Sequence, residues 1–268
     1  ISAARARKIP KNCGSLLSKK TAMPTQRDGQ QPATKSSGVF MPFPQPQREA
    51  VFLRRPQRFL AEMSLPGGGE ELVYCANSGA MTGCLTPGMA AILWDSADPE
   101  RKRRYTWRAV EFDGGWIGTD THLANRIVEE ALKLQLVPSL ESYCTLAREK
   151  LLEVGFRVDF VLNGPLGECL VEVKSATVVE SGVARFPDSA TPRGVKHLKA
   201  LKCQALAGKR SVLLFLIQRA DAHCFVVSNS HDPAYAEAFE DAIASGVEVI
   251  ASSKASDRKS THLNSSHL

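Results

Sequence analysis

The chain has 268 residues, 43% of them hydrophobic and 23% charged. That is ordinary globular composition for one or two domains, and no apolar run approaches the roughly 18 residues that a membrane helix requires. The formal net charge of +6 is unevenly spread: residues 1–58 carry 12 Lys and Arg against 2 Asp and Glu, a net of +10, which leaves the remainder at −4. A basic isoelectric point is therefore no argument that the body of the chain binds polyanions; only local clusters can carry that.

Seven cysteines stand singly at positions 13, 75, 84, 144, 169, 203 and 224, with no CxxC pair. An odd, scattered set argues against a zinc site and against a disulfide scaffold. Reduced, mostly buried thiols fit a cytoplasmic or organellar protein rather than a secreted one. Residues 1–40 contain one acid, Asp28, and are rich in Lys, Arg, Ser, Thr, Gln and Pro. They read as a disordered or transit-like leader. The chain does not begin with Met, so the alternative is a fragment or translated untranslated sequence with Met41 as the true start. Residues 257–268 read as a translated sequencing adapter, a non-native tail in which His262 and His267 mean nothing as metal ligands.

Between these ends the first region, residues 41–118, reads as short strands. Ala50–Leu53, Phe59–Met63, Leu72–Cys75 and Ala91–Trp94 are separated by turns at Gly67–Gly69, Asn77–Gly79 and Thr86–Gly88. Such punctuation predicts a small barrel. From Thr121 the spacing of Leu123, Ile127, Ala131 and Leu134 predicts a helix, with Thr121 as cap. Residues 119–256 then alternate: a helix Leu140–Leu152, strands Arg157–Leu162 and Cys169–Lys174, and a helix Lys196–Ala207 closed by Gly208. A buried strand Val212–Ile217, a strand Cys224–Val227, a helix Ala234–Ala244 and a strand Val247–Ala251 complete it. This is an α/β layout on a mixed sheet.

The chemistry concentrates on two neighbouring strands. Glu172 and Lys174 are two apart and project from the same face, and a hairpin sets Asp159 beside them. Two carboxylates at one point suit Mg²⁺ or Mn²⁺. A bound divalent ion polarises phosphate and acidifies water, while an adjacent lysine stabilises developing charge. Solvent-facing strand charges are common. Here, however, Val158, Phe160, Leu170, Val171 and Val173 flank the acids, and a carboxylate buried among them needs a partner or a metal.

Three further groups are candidates. Glu149, on the helix before the hairpin, either completes the metal shell or is an exposed helical acid. Arg193, Lys196 and His197 lie in the first turns of a helix entered through Thr191 and Pro192, a setting that suits phosphate, or else they are merely solvated. Arg101, Lys102, Arg103 and Arg104, followed by Tyr105 and Trp107, interleave charge with rings as single-strand-binding grooves do; the alternative is a basic loop beside core aromatics.

The motifs together resemble the sugar fermentation stimulation protein A (SfsA) family. The matching segments, in order, are Arg58–Ala61, Asn77–Cys84 with Thr86–Gly88, Ala124–Arg126 with Glu130–Leu132, Arg157–Phe160, Glu172–Lys174, Phe186–Asp188 and Arg193–Leu198. They span about residues 41–255. The resemblance implies an N-terminal OB-like β-barrel, a C-terminal restriction-endonuclease-like α/β domain and DNA binding. It also implies a nuclease triad of Asp159, Glu172 and Lys174, with Glu149 as the helix carboxylate. Tyr74-Cys-Ala-Asn-Ser-Gly79 departs from the family's His-Cys-Pro-Asn-Thr-Gly, and the match stops near Ala255. Three functions follow: a Mg²⁺- or Mn²⁺-dependent nuclease, a non-catalytic DNA-binding regulator on a nuclease-like fold, or a structural module whose acids face solvent.

Overall fold

The computed structural model describes residues 39–137, 139–153, 156–256 and 260–267. Residues 1–38, which include most of the expected leader and Cys13, lie outside the described residues. In chain order the elements are β1 (Val39–Pro42), β2 (Gln47–Gln57), β3 (Leu60–Ser64), β4 (Glu70–Cys75), β5 (Ala90–Asp95), β6 (Tyr105–Phe112), β7 (Gly115–Gly118) and α1 (Thr121–Lys133). Then come β8 (Thr145–Glu153), β9 (Phe156–Gly164), β10 (Gly167–Ala176), β11 (Val178–Glu180), β12 (Val183–Phe186) and α2 (Pro192–Leu206). The chain continues through β13 (Arg210–Ile217), β14 (Cys224–Val227), α3 (Pro233–Ala244), β15 (Glu248–Ser256) and β16 (Ser260–His267).

The first region is a barrel. Five strands run in the order β4-β3-β2-β5-β6, a parallel pairing of Tyr74 with Thr106 and of Cys75 with Trp107 closes β4 onto β6, and β7 adds to the edge of β6. Alternation drives it: in β3, Ala61 and Met63 are buried between half-buried neighbours, which fills the interior from one face of each strand. Phe52 stacks on Trp107 at 5.1 Å between ring centroids, and both are fully buried. Each such side chain contributes roughly 1.5–3 kcal/mol by leaving water.

The second region is a three-layer α/β unit on a sheet ordered β1-β16-β15-β13-β10-β9-β8. The neighbours β10, β13 and β15 are parallel, while β8, β9 and β10 are antiparallel. From Val212 to Ile217 every residue of β13 is buried, as a strand covered on both faces requires. One face packs on α1 through Leu123, Ile127, Val128 and Ala131, and the other packs on α2 and α3 through Leu198, Leu201 and Tyr235. Thr191 caps α2 by accepting from Gly194 N, and Asp232 caps α3 by accepting from Tyr235 N. The second oxygen of Asp232 accepts from Thr191 N at 2.7 Å, so one carboxylate ties together the starts of both helices.

Several expectations need correction. The segment Leu140–Leu152 is not a helix; from Thr145 it is β8, because pairing Leu146 with Leu162 and Ala147 with Val161 outweighs the helix propensity of its Leu, Ala, Glu and Lys residues. Asp120, not Thr121, caps α1, and the Thr121 hydroxyl instead donates to Ala76 O. Barrel pairing starts at Gln47: β1 joins the second sheet through β16, and Met41 and Phe43 bury in that core. Residues 260–267, within the expected adapter-derived tail, pair as β16 between β15 and β1, a position open to any segment able to form a strand, native or not. Tyr105–Phe112 is a barrel strand, and Tyr105 and Trp107 face its core. Of the described cysteines all are free, and burial pushes Cys84 up to about 12 and Cys169 up to about 11, so these two are inert packing groups.

Candidate metal centre and nucleic-acid interface

Asp159, Glu172 and Lys174 come together where β9 and β10 part. The last paired residues are Phe160 and Val171. Beyond them the side chain of Asp159 replaces the ladder, accepting from Val173 N at 2.8 Å through Oδ2 and from Asn125 Nδ2 of α1 at 2.9 Å through Oδ1. Glu172 is 2% exposed. Its Oε1 receives Lys174 Nζ at 2.5 Å and His197 Nδ1 of α2. Its Oε2 is buried and meets no partner among the described residues.

The two carboxyls are pushed in opposite directions. Burial, reinforced by the charge of Glu172, raises Asp159 to about 6 against the pull of Val173 N, Lys174 and Asn125. Burial also opposes ionisation of Glu172, but Lys174 and His197 outweigh it and hold that carboxyl well below the usual range. Tyr235, fully buried with a hydroxyl that meets no partner among the described residues, is pushed up by burial and then by the Glu172 charge.

His197 was expected to meet nucleic acid. It is instead buried, edge-on to Phe156 at 5.1 Å between ring centroids. Arg193 Nε donates to its Nε2 at 3.3 Å. An acceptor at Nε2 puts the ring proton on Nδ1, which donates to Glu172 and fixes that carboxylate. Arg193 and Lys196 are exposed on the first turns of α2. Glu149, expected on a helix, sits on β8 in a left-handed backbone conformation, with φ at 51°. Its carboxylate is 61% exposed and pairs with Arg157 at 3.4 Å, so the structure does not bring it to Glu172. Asn125, absent from the expected set, takes the place of the carboxylate sought on a helix. It sits in the matched Ala124–Arg126 motif, but an uncharged amide gives no electrostatic signal in a sequence.

The barrel meets the segment that leads into α2 through the loop after β4. Arg55 donates to the carbonyls of Asn77, Gly79 and Ala80, and Asp188, just before α2, accepts from Met81 N at 2.7 Å. A Cβ on Gly79 would lie 2.9 Å from Asp188 Oδ2 and displace the carboxylate that accepts from Met81 N. Elsewhere on the barrel Arg104 is held by both oxygens of Asp95 at 2.8 Å, and Trp107 is sealed in the core. Arg101, Lys102 and Arg103 remain at the surface beside Phe59 and Tyr74.

Two carboxylates and a lysine at a strand fork, on a sheet covered by helices and preceded by a five-stranded barrel, define an OB-like domain joined to a restriction-endonuclease-like domain. The family profile described as "SfsA N-terminal OB domain" matches residues 53–119, and "Sugar fermentation stimulation protein RE domain" matches residues 122–260. The chain belongs to the SfsA family. A "Sugar fermentation stimulation protein homolog" of Geotalea uraniireducens is 43% identical over 211 residues, covering 79% of this chain and 91% of the relative. The homolog of Ruegeria pomeroyi is 44% identical over 202 residues, covering 74% and 88%. The solved structure of Pyrococcus furiosus SfsA in complex with Ca²⁺ superposes with a TM-score of 0.78 at 27% identity, covering 88% of this chain and 98% of that one. No helix among the described residues is long and apolar enough to cross a membrane.

Proposed function

We propose that the chain is a divalent-metal-dependent phosphodiesterase acting on nucleic acid, with DNA as the first candidate substrate. The observation that carries this reading is the buried, unpartnered Oε2 of Glu172 beside Asp159, whose own ionisation is opposed by burial. An anionic oxygen without a partner is costly in the interior, and a hard cation satisfies it. Among the described residues no group of three or more His, Cys, Asp or Glu forms a metal cage. Mg²⁺ or Mn²⁺ is commonly held by one or two carboxylates with water and substrate phosphate completing the shell. The Ca²⁺ complex of the Pyrococcus relative supports a hard, oxygen-seeking ion.

Asp159 and Glu172 would hold the ion, which when bound supplies Lewis-acid polarisation of the phosphate and an acidified water. The chain's own residues do the rest. Asn125 and Val173 N aim Asp159, and His197 aims Glu172. Lys174, half-buried beside them, sets its ammonium where negative charge develops on the phosphate. Arg193 and Lys196 flank the entrance for backbone phosphates.

A second reading has a specific observation in its favour. Lys174 and His197 already compensate Glu172 without a metal, which suits a DNA-binding protein that does not turn over. A cleavage assay on single- and double-stranded DNA and RNA, with Mn²⁺, Mg²⁺ or EDTA, separates the two. The catalytic reading expects metal-dependent cleavage that Glu172→Gln and Asp159→Ala abolish. Salt-dependent binding that survives Glu172→Gln, with no cleavage by the wild type, leaves only the regulator.

A further inference from the structure

The barrel carries a groove of about 330 Å³ that the metal centre does not use. Phe59, Leu60 and Tyr74 line it together with Arg101, Lys102 and Arg103 from the loop between β5 and β6. Phe59 keeps 48% of its surface in water. One exposed ring is unremarked on most proteins; its neighbours make this one informative. Arg101 is fixed twice, over Trp94 at 5.0 Å and by Nη2 donating to Thr106 Oγ1 at 2.9 Å. With the guanidinium so held, its Nη1 is buried and meets no acceptor among the described residues, and the Nε of Arg103 is in the same position. Buried donors are rarely left unmet in native proteins.

The occupant therefore needs a flat apolar face for the ring and anionic or carbonyl oxygens that suit the three cationic side chains lining the groove. A nucleotide has both. A duplex hides its base faces in the stack, so only an unpaired base reaches Phe59. We infer that this groove is a single-strand site: a base stacks on Phe59, Arg101 meets its edge or sugar, and the adjoining phosphates lie on Lys102 and Arg103. The inference rests on the nucleic-acid half of the proposed function and not on its metal chemistry, so it is tested with EDTA present.

The experiment is fluorescence anisotropy of a short labelled oligothymidylate titrated with the full chain. Phe59→Ala is expected to weaken binding about five- to a hundredfold, the range for loss of one stacked base. Phe59→Tyr keeps the ring and is expected to bind as wild type does. Lys102→Ala is expected to weaken all single strands alike and to lower the salt slope by about one. Phe59 is exposed, so each variant is expected to keep the wild-type circular dichroism spectrum. Equal binding by wild type and Phe59→Ala overturns the inference. So does tighter binding to a duplex of the same length, or displacement of the oligonucleotide by an acidic peptide at lower concentration than by unlabelled oligothymidylate. Failure of the nuclease reading shows separately, as no cleavage by the wild type with Mn²⁺ while this binding in EDTA persists.

Discussion

Replacing Asp159 by asparagine should make the metal-free protein more stable, and the gain should depend on pH in a defined way. The folded chain moves this carboxyl from 3.8 to about 6, chiefly by burying it and then by facing it with Glu172. At about 1.4 kcal/mol per tenfold, the shift corresponds to roughly 3 kcal/mol of preference for the neutral form. A folded value above the unfolded one means that the stabilising contribution of the protonated group is complete below about pH 4 and lost as pH rises through about 6. Asparagine never ionises. It keeps an acceptor for Val173 N, and its amide finds an acceptor if Asn125 turns its own amide over. Urea unfolding in EDTA should therefore show the variant about 2–3 kcal/mol more stable above pH 7 and equal to wild type below about pH 4. Added Mn²⁺ should stabilise the wild type and leave the variant unmoved. A variant no more stable than wild type at neutral pH, or a gain of the same size at pH 4, would refute the reasoning.

Two further outcomes follow from contacts at the same centre. His197→Ala removes the donor that orients Glu172 and should weaken Mn²⁺ binding roughly 10–100-fold by titration calorimetry, whereas His197→Gln, which retains a donor, should recover part of it; unchanged affinity in the alanine variant would count against a positioning role. Gly79→Ala forces a Cβ against Asp188 and should cost about 1–3 kcal/mol in urea unfolding, with a wild-type midpoint as the contrary result.

The centre was legible where chemistry and periodicity agreed. Asp159, Glu172 and Lys174 stood out because acids on neighbouring strands were embedded in Val, Leu and Phe, a pattern that solvent-facing strands do not show. The partners of those acids were harder. His197 resembled a basic helix-entry residue, and nothing in its neighbours along the chain says that it turns inward to Glu172. Thr145–Glu153 carries good helix formers, and its strand identity exists only through its ladder to β9. Tyr105 and Trp107 looked like stacking rings because a barrel interior and a nucleic-acid groove select the same residues. Burial separates them, and it leaves Phe59, which the sequence offered only as a strand residue, as an exposed ring beside the basic loop.

The carboxylate of Asp232 deserves a last consequence. By holding Thr191 N and Tyr235 N at once, it sets where two consecutive helices on one face of the sheet begin. The pitch at which the imidazole one turn and a half into the first of them meets Glu172 is thus indexed from a residue some forty positions downstream. Like the zero mark of a ruler, this shared origin fixes the reading for both helices at once.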